Sequence, residues 1–281
     1  MSQGRFSQFP SSLARQSRTA RFGDVPVLLC HPDPEWKTPA PTVLWMHGRT
    51  ANKELDPGRY LRWIRAGLAA CAIDLPGHGE RGEPERQTPE HTLDVIEQAV
   101  GEVDRVVEHL ADPVWGGCFD LERLAIGGMS MGGMVTLRRL CDEHPFRCAA
   151  VEATTGDLAS LYSGHSPEVE GRAERWVAQH DAGRIAAVDP SAHLEGWRPI
   201  PLLALHSEAD AVIPAAVMRG FVERLRRRYE AAGADPGLVR LHTWEQTGAP
   251  AEHIGFGRVS NDAKNMQTEF LGKELGAAPA G

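Results

Sequence analysis

The chain has 281 residues, of which 42% are hydrophobic and 24% charged, so it has the balance of an ordinary globular protein and not of a disordered, collagen-like or coiled-coil chain. Its 30 basic and 38 acidic side chains give a formal net charge of −8, which lacks the basic character of a nucleic-acid-binding protein. No apolar run approaches the roughly 18 residues that cross a bilayer, so we expect no membrane span.

Residues 1–22 are predicted to form a polar arm that leads into one domain over residues 23–281. The first 23 residues hold four arginines and no acid, a bias that weakly resembles a transit peptide but lacks the apolar region of a secretory signal. The five cysteines are an odd number without a C-x-x-C pair. This pattern favours reduced thiols in a cytoplasmic protein over a disulfide framework or a zinc knuckle.

Strands are predicted where short apolar or β-branched runs occur between polar segments. Several runs are apolar on both faces, as in a parallel sheet that helices cover on either side. The runs span residues 25–30, 42–47, 69–75, 123–128, 148–153, 200–206 and 238–244.

Helices are predicted between these runs. Residues 88–110 begin with an N-cap threonine, a proline and an acid, and hydrophobic side chains then recur at helical spacing. Similar stripes predict helices over residues 217–229 and 261–271. The alternation of strands and helices predicts an α/β sandwich with right-handed crossovers.

Residues 155–198 interrupt this alternation, because over forty residues pass without a convincing strand. A structureless loop of that length is uncommon in a compact domain, so we predict a small helical, cap-like insertion over one end of the sheet. Its aromatic residues Tyr162, Trp176 and Trp197 are expected as a group to line the substrate pocket. For each one alone, anchoring the insertion to the domain is the more common role.

The most informative stretch is residues 128–132, GMSMG, which match G-x-S-x-G between a predicted buried strand and a helix. In this context Ser130 sits on a sharp turn that projects its hydroxyl, and the flanking glycines avoid a clash. The helix N-terminus behind Ser130 and the N–H of Met131 can stabilise a developing oxyanion. A packing turn and a phosphate loop are the alternatives, but Gly133 stands where a phosphate loop requires lysine.

Ser130 requires an acid and then a histidine further along the chain. Asp210 follows the strand over residues 200–206, at the carboxyl end where such sheets place their sites, and Glu208 is the competing acid. Asp is also common in turns, which is the alternative role for Asp210. His253 lies in a glycine-rich loop between the last strand and the last helix, where a general base can reach the sheet edge. We therefore predict Asp210 and His253 as the partners of Ser130.

A second oxyanion donor is predicted after the strand over residues 42–47. Gly48 lets the backbone turn, so that the N–H of Arg49 can join that of Met131. His47 is expected to be structural. A metal site is disfavoured because neither an H-E-x-x-H motif nor a carboxylate pair accompanies His47.

With these stretches in this order, the chain resembles the α/β-hydrolase superfamily, and within it the serine esterases related to dienelactone hydrolases and to prolyl oligopeptidase catalytic domains. The resemblance covers about residues 25–275. It implies a mostly parallel sheet of roughly eight strands flanked by helices, a Ser130–His253–Asp210 triad, and no cofactor. The residues that carry it are 47–49 (HGR), 74–79 (DLPGHG), 128–132, Asp210 and His253.

The chain departs from the pattern of these relatives at two places that concern substrate preference. The charged residues Glu80, Arg81 and Glu83 follow the Gly-His-Gly segment, where a small residue is often found. Ser207 stands where glycine is frequent. A third difference concerns the nucleophile, because dienelactone hydrolases proper use cysteine and this chain has Ser130.

The expected function is a serine hydrolase that cleaves small-molecule carboxylic esters through an acyl-enzyme on Ser130. The same triad can act on peptides or thioesters, and both remain open. A non-catalytic binding protein on this fold is the third alternative, against which the complete set of Ser130, Asp210 and His253 argues.

Overall fold

Eight strands form one mixed β-sheet in the computed structural model, which describes residues 9–163 and 178–278. Strands β2, β3, β4, β6 and β7 consist of buried residues throughout, which explains their unbroken apolar sequences. In chain order the strands are β1 Ser17–Phe22, β2 Val25–Cys30, β3 Ala40–Met46, β4 Ala69–Ile73, β5 Phe119–Met129, β6 Cys148–Glu152, β7 Leu202–Ser207 and β8 Val239–Trp244.

The strand order is β1-β2-β4-β3-β5-β6-β7-β8. Strands β1, β2 and β4 pair antiparallel, whereas β4, β3 and β5 to β8 run parallel. The carboxyl ends of the parallel strands therefore share one edge, and the loops after β3, β5, β7 and β8 emerge there. The predicted mostly parallel, roughly eight-stranded α/β sheet is confirmed.

Helices cover both faces of the sheet. Helices α3, α4 and α7 pack on one face in the larger apolar core, and α1, α2 and α8 pack on the other. No helix within the described ranges has both the length and the apolar character needed to span a membrane. The helices are α1 Ser11–Arg15, α2 Pro57–Arg65, α3 Thr92–Leu110, α4 Met131–Arg139, α5 Leu158–Ser163, α6 Ala182–Val188, α7 Ala215–Ala231 and α8 Ser260–Leu275.

The polar arm predicted over residues 1–22 is wrong for its described part, which forms α1 and β1. Strand β1 pairs with β2 along its whole length, from Ser17 opposite Cys30 to Phe22 opposite Val25. Only its two end residues are buried, because β1 is the edge strand. Because the arginines of β1 are exposed, the strand lacks the apolar run by which the other strands were predicted. Charged side chains on an edge strand discourage pairing with other chains.

The segment predicted as an insertion, residues 155–198, is described in part. It contains α5, α6 and two short 3₁₀ turns. Residues 164–177, with Trp176, lie outside the described residues. The insertion itself therefore stays a prediction.

Candidate active site

Ser130 occupies a strained turn between β5 and α4. Its backbone has φ +52° and ψ −118°, a conformation that residues with a Cβ rarely adopt. The turn is tight because a Cβ on Gly128 would lie 2.4 Å from the carbonyl of Gly132, and one on Gly132 would lie 2.3 Å from the carbonyl oxygen of Met46. The two glycines are thus required by close backbone approach, and Ser130 is lifted to the sheet's carboxyl edge.

Ser130, His253 and Asp210 form one continuous chain of hydrogen bonds. The Ser130 hydroxyl lies 2.9 Å from His253 Nε2, and His253 Nδ1 lies 2.8 Å from Asp210 Oδ2. Since the carboxylate can only accept, Nδ1 carries the proton, and Nε2 is left as the acceptor for the serine hydroxyl. This is the tautomer in which the imidazole can remove the hydroxyl proton.

Asp210 is fully buried and held by its own loop. Its Oδ1 accepts the backbone N–H groups of Val212 and Ile213, each at 2.8 Å. Glu208, the competing acid, points elsewhere and pairs with Arg219 on α7. The structure therefore brings Asp210, and not Glu208, to His253.

The Glu252 carboxylate, for which the sequence predicted no role, stabilises the loop that carries His253. Ala251 and Glu252 both have φ +53°, the left-handed region that is unfavourable for residues with a Cβ. The Glu252 carboxylate accepts hydrogen bonds from Ser207 Oγ at 2.9 Å, Thr247 Oγ1 at 2.8 Å, and the N–H groups of Thr247 and Gly248. These bonds lower the pKa of Glu252 to about 2, so it is ionised at neutral pH.

Gly48 brings the loop after β3 against Ser130. A Cβ added to Gly48 would lie 3.3 Å from the Cβ of Ser130, so a side chain there would crowd the nucleophile. Arg49 follows directly, and Met131 is the first residue of α4, where backbone N–H groups lack helical partners. Both residues line the cleft at Ser130.

The cleft beside Ser130 has a volume of about 420 Å³. Ser130 and His253 line it, and each is less than a tenth exposed. Leu55 and Ile254 contribute exposed apolar side chains to its lining. A mostly apolar cleft with a few polar groups is typical of a small-molecule site.

The predicted pocket aromatics lie in different places. Tyr162, on α5, does not itself line the cleft but lies close to Arg49 and Thr92, which do. Trp197 is buried in the core, where its Nε1 donates to Tyr229 Oη at 3.0 Å, so its expected contribution to the pocket is wrong. Trp176 lies outside the described residues.

The sequence did not predict the ion pairs beside the cleft, where the buried Lys53 pairs with the buried Asp74 and with the exposed Glu80. Lys53 Nζ lies 2.6 Å from Asp74 Oδ2 and 2.5 Å from Glu80 Oε1. Asp74 also accepts the backbone N–H groups of Lys53 and Glu80, and a Cβ on Gly79 would lie 2.2 Å from the Asp74 carboxylate. The acid at position 80, which departs from the pattern of the relatives, is therefore tied to Lys53.

A second buried ion pair lies behind the nucleophile turn. Arg59 donates two hydrogen bonds to the Glu152 carboxylate, at 2.7 and 2.8 Å, and Gln267 donates a third at 2.9 Å. The main-chain oxygen of Glu152 accepts the Ser130 N–H at 2.8 Å. Helices α2 and α8 thus fix the end of β6, against which the Ser130 turn rests.

His47 is structural, as its surroundings indicate. Its Nδ1 lies 2.7 Å from the carbonyl oxygen of Gly48, and its Nε2 accepts the Leu75 N–H at 3.1 Å. Burial lowers its pKa from 6.5 to about 4. The neutral ring therefore joins the loop after β3 to the segment after β4.

Comparison with known proteins supports the serine hydrolase that the sequence predicts. The model of the prolyl oligopeptidase family matches residues 59–277. Esterase YjfP of Escherichia coli K12 is 30% identical over 198 residues, which cover 69% of this chain and 78% of that protein. The putative esterase YitV of Bacillus subtilis 168 is 24% identical over 196 residues, covering 67% of this chain and 76% of YitV.

Among solved structures, a puromycin-hydrolyzing peptidase from Mycobacterium tuberculosis superposes with a TM-score of 0.70 at 20% identity. The match covers 97% of this chain and 41% of the peptidase. At this level of identity the likeness concerns the fold.

Proposed function

The chain belongs to the prolyl oligopeptidase family and is a serine hydrolase, and we propose that it cleaves small-molecule carboxylic esters through an acyl-enzyme on Ser130. The observation that carries this proposal is the unbroken hydrogen-bond chain from Ser130 through His253 to Asp210. The similarity to proteins named as esterases favours esters over other acyl compounds.

In the acylation step, Ser130 Oγ attacks the acyl carbon while His253 Nε2 takes the hydroxyl proton. The carbonyl π electrons move to oxygen, and the backbone N–H groups of Met131 and Arg49 stabilise the oxyanion. Asp210 stabilises the imidazolium. When the carbonyl re-forms, the ester C–O bond breaks and His253 returns the proton to the leaving alcohol.

In the deacylation step, water takes the place of the alcohol. His253 removes a proton from the water as its oxygen attacks the acyl-serine, and the second tetrahedral intermediate expels Ser130 Oγ, which regains the proton. The products are a carboxylic acid and free enzyme. Every proton transfer passes through His253 Nε2, so Ser130, His253 and Asp210 act as one unit.

Peptide hydrolysis is the second candidate, because the matched family is named for oligopeptidases. It requires the same acyl-enzyme but a protonated amine as leaving group. A direct test compares p-nitrophenyl esters from acetate to palmitate with a thioester and an aminoacyl p-nitroanilide, for the protein and for Ser130→Ala. We expect turnover of the esters alone, and its loss in Ser130→Ala. Faster turnover of the anilide would assign a peptidase instead.

We also propose that the protein is cytoplasmic and that its partners do not include nucleic acid. All five cysteines are free and buried, and burial raises the pKa of Cys30 and Cys141 to about 12. Such thiols suit a reducing compartment. The net charge of −8 argues against nucleic acid. Recovery of the protein outside the cytoplasmic fraction, or its retention on DNA at low salt, would contradict these proposals.

A further inference from the structure

The charges around the cleft are unevenly distributed. Among the described residues that line it, Arg49 is the only one with a permanently charged side chain. Apart from the polar groups at Ser130 and His253, much of the remaining lining is apolar, including Leu55 and Ile254. The protein as a whole carries a net charge of −8, so a cation beside the nucleophile runs against the overall charge.

The Arg49 guanidinium is held in a partly desolvated position. The residue is half-buried, and its Nη1 atom is shielded from solvent. Burial lowers the pKa of Arg49, but an arginine remains protonated at neutral pH. Glu90, whose charge acts on Arg49, is exposed, so water screens that attraction. A charge in such a position interacts with a ligand more strongly than one on the open surface.

The N-terminus of a helix reaches the same cleft as this guanidinium. Thr92 lines the same cleft and is the first residue of α3, a helix of 19 residues whose N-terminus carries partial positive charge. Tyr162 interacts with both Thr92 and Arg49. Burial raises the pKa of Tyr162 to about 12, so its phenol keeps its proton. The neutral phenol therefore adds no negative charge beside Arg49, and the N-terminus of α3 favours an anion at this end of the cleft.

We propose that Arg49, at the end of the cleft where α3 begins, forms an anion subsite next to Ser130, and that the preferred substrates are esters bearing a carboxylate at a distance from the scissile bond. The planar guanidinium pairs well with a carboxylate. The backbone N–H of Arg49 would serve the oxyanion while its side chain selects the substrate. This inference rests on the proposed ester hydrolysis.

The test compares matched ester pairs that differ in one negative charge. Mono-p-nitrophenyl adipate against p-nitrophenyl hexanoate places the carboxylate on the acyl side, and 4-acetoxybenzoate against its methyl ester places it on the alcohol side. The readout is the ratio of kcat/KM between the charged and the neutral ester in each pair. We expect a ratio above one in at least one pair, and the pair that shows it identifies the side that Arg49 serves.

Three variants separate the side chain from the rest of the site. Arg49→Gln should lower that ratio by roughly tenfold or more, because it removes the charge but keeps the backbone N–H. Arg49→Lys keeps the positive charge and should therefore restore much of the charged-to-neutral ratio. A purely structural role of Arg49 would give no reason for lysine to restore that ratio. Arg65→Gln removes an exposed arginine from α2 and should leave the ratio unchanged.

The outcomes distinguish this inference from the proposed function. If the protein hydrolyses neutral esters but Arg49→Gln leaves both ratios unchanged, the anion subsite is refuted while the esterase stands. A wild-type ratio below one in both pairs would refute it as well. If no ester in either pair is hydrolysed, the proposed function itself fails.

Discussion

The Ser207 hydroxyl donates a hydrogen bond of 2.9 Å to the Glu252 carboxylate, although 45 residues separate the two in sequence. Ser207 ends the strand that leads to Asp210, and Glu252 directly precedes His253. The contact therefore joins the loop of the acid to the loop of the base. Together with the bonds from Thr247 and Gly248, it holds two residues of the base loop in the left-handed conformation.

Glu252→Gln should lower kcat for ester hydrolysis by roughly tenfold to a hundredfold, because a displaced imidazole loses its alignment with Ser130. The amide of glutamine places a donor where Thr247 and Gly248 also donate. Glu245→Gln, an exposed acid earlier in the same segment, is the matched control. Steady-state kinetics at neutral pH give the comparison, and equal kcat values for the two variants would show that Glu252 does not position His253.

Asp210→Asn should lower kcat on the order of 10⁴-fold, because the amide favours the wrong imidazole tautomer. Glu208→Gln, two residues away, should change kcat far less, since Glu208 pairs with Arg219 and not with His253. The measurement is kcat for one p-nitrophenyl ester with both purified variants. A larger loss in Glu208→Gln than in Asp210→Asn would reverse the assignment of the acid.

Lys53→Met should reduce the free energy of unfolding by about 3–5 kcal/mol, because it leaves the buried Asp74 carboxylate without its cation. Lys37→Met is a matched control: the Lys37–Glu35 pair has the same 2.6 Å separation but is largely exposed, so its loss should cost much less. Urea unfolding of both variants gives the comparison. Similar losses would mean that burial does not set the importance of the Lys53–Asp74 pair.

His47 makes stability depend on pH. Its pKa is lowered to about 4 in the folded protein, whereas an unfolded histidine titrates near 6.5, so the unfolded chain binds more protons between these values. The free energy of unfolding should therefore fall as the pH drops from about 6.5 to 4. His144, whose pKa is also lowered to about 4, adds to this trend.

His47→Gln should make that slope shallower, because glutamine supplies a donor and an acceptor without a titrating proton. The slope comes from urea unfolding at a series of pH values. The absolute stability of the variant does not enter the comparison. Identical slopes for the variant and the parent would contradict the assignment of a proton-linked contribution to His47.

Much of the fold followed from the sequence, because buried parallel strands leave apolar runs that a short window detects. Each of the seven predicted runs overlaps a strand, from β2 to β8. Strand β1 was not predicted because an edge strand needs little apolar character. Helix α2 was not predicted either, although Asp56 and Pro57 are residue types typical of a helix start. Asp56 precedes α2 in the left-handed conformation and makes no capping bond.

The site could be predicted where the chemistry leaves a local pattern. The turn around Ser130 needs glycine at fixed spacing, so five residues between a predicted strand and a predicted helix are enough to recognise it. By contrast, the contacts of Glu252 with Ser207 and of Arg59 with Glu152 join residues far apart in sequence, and nothing near either residue signals its partner. The one available signal for Glu252 was its position next to His253.

Ser130 alone is expected to form the covalent intermediate. The most direct test of this expectation is intact-mass and peptide analysis after reaction with a fluorophosphonate, with residual ester hydrolysis measured on the same sample. We predict one adduct per chain, located on Ser130, with activity lost in proportion to labelling and no adduct on Ser130→Ala. An adduct on another residue that tracks the loss of activity, or undiminished turnover by Ser130→Ala, would contradict the assignment of Ser130 as the nucleophile.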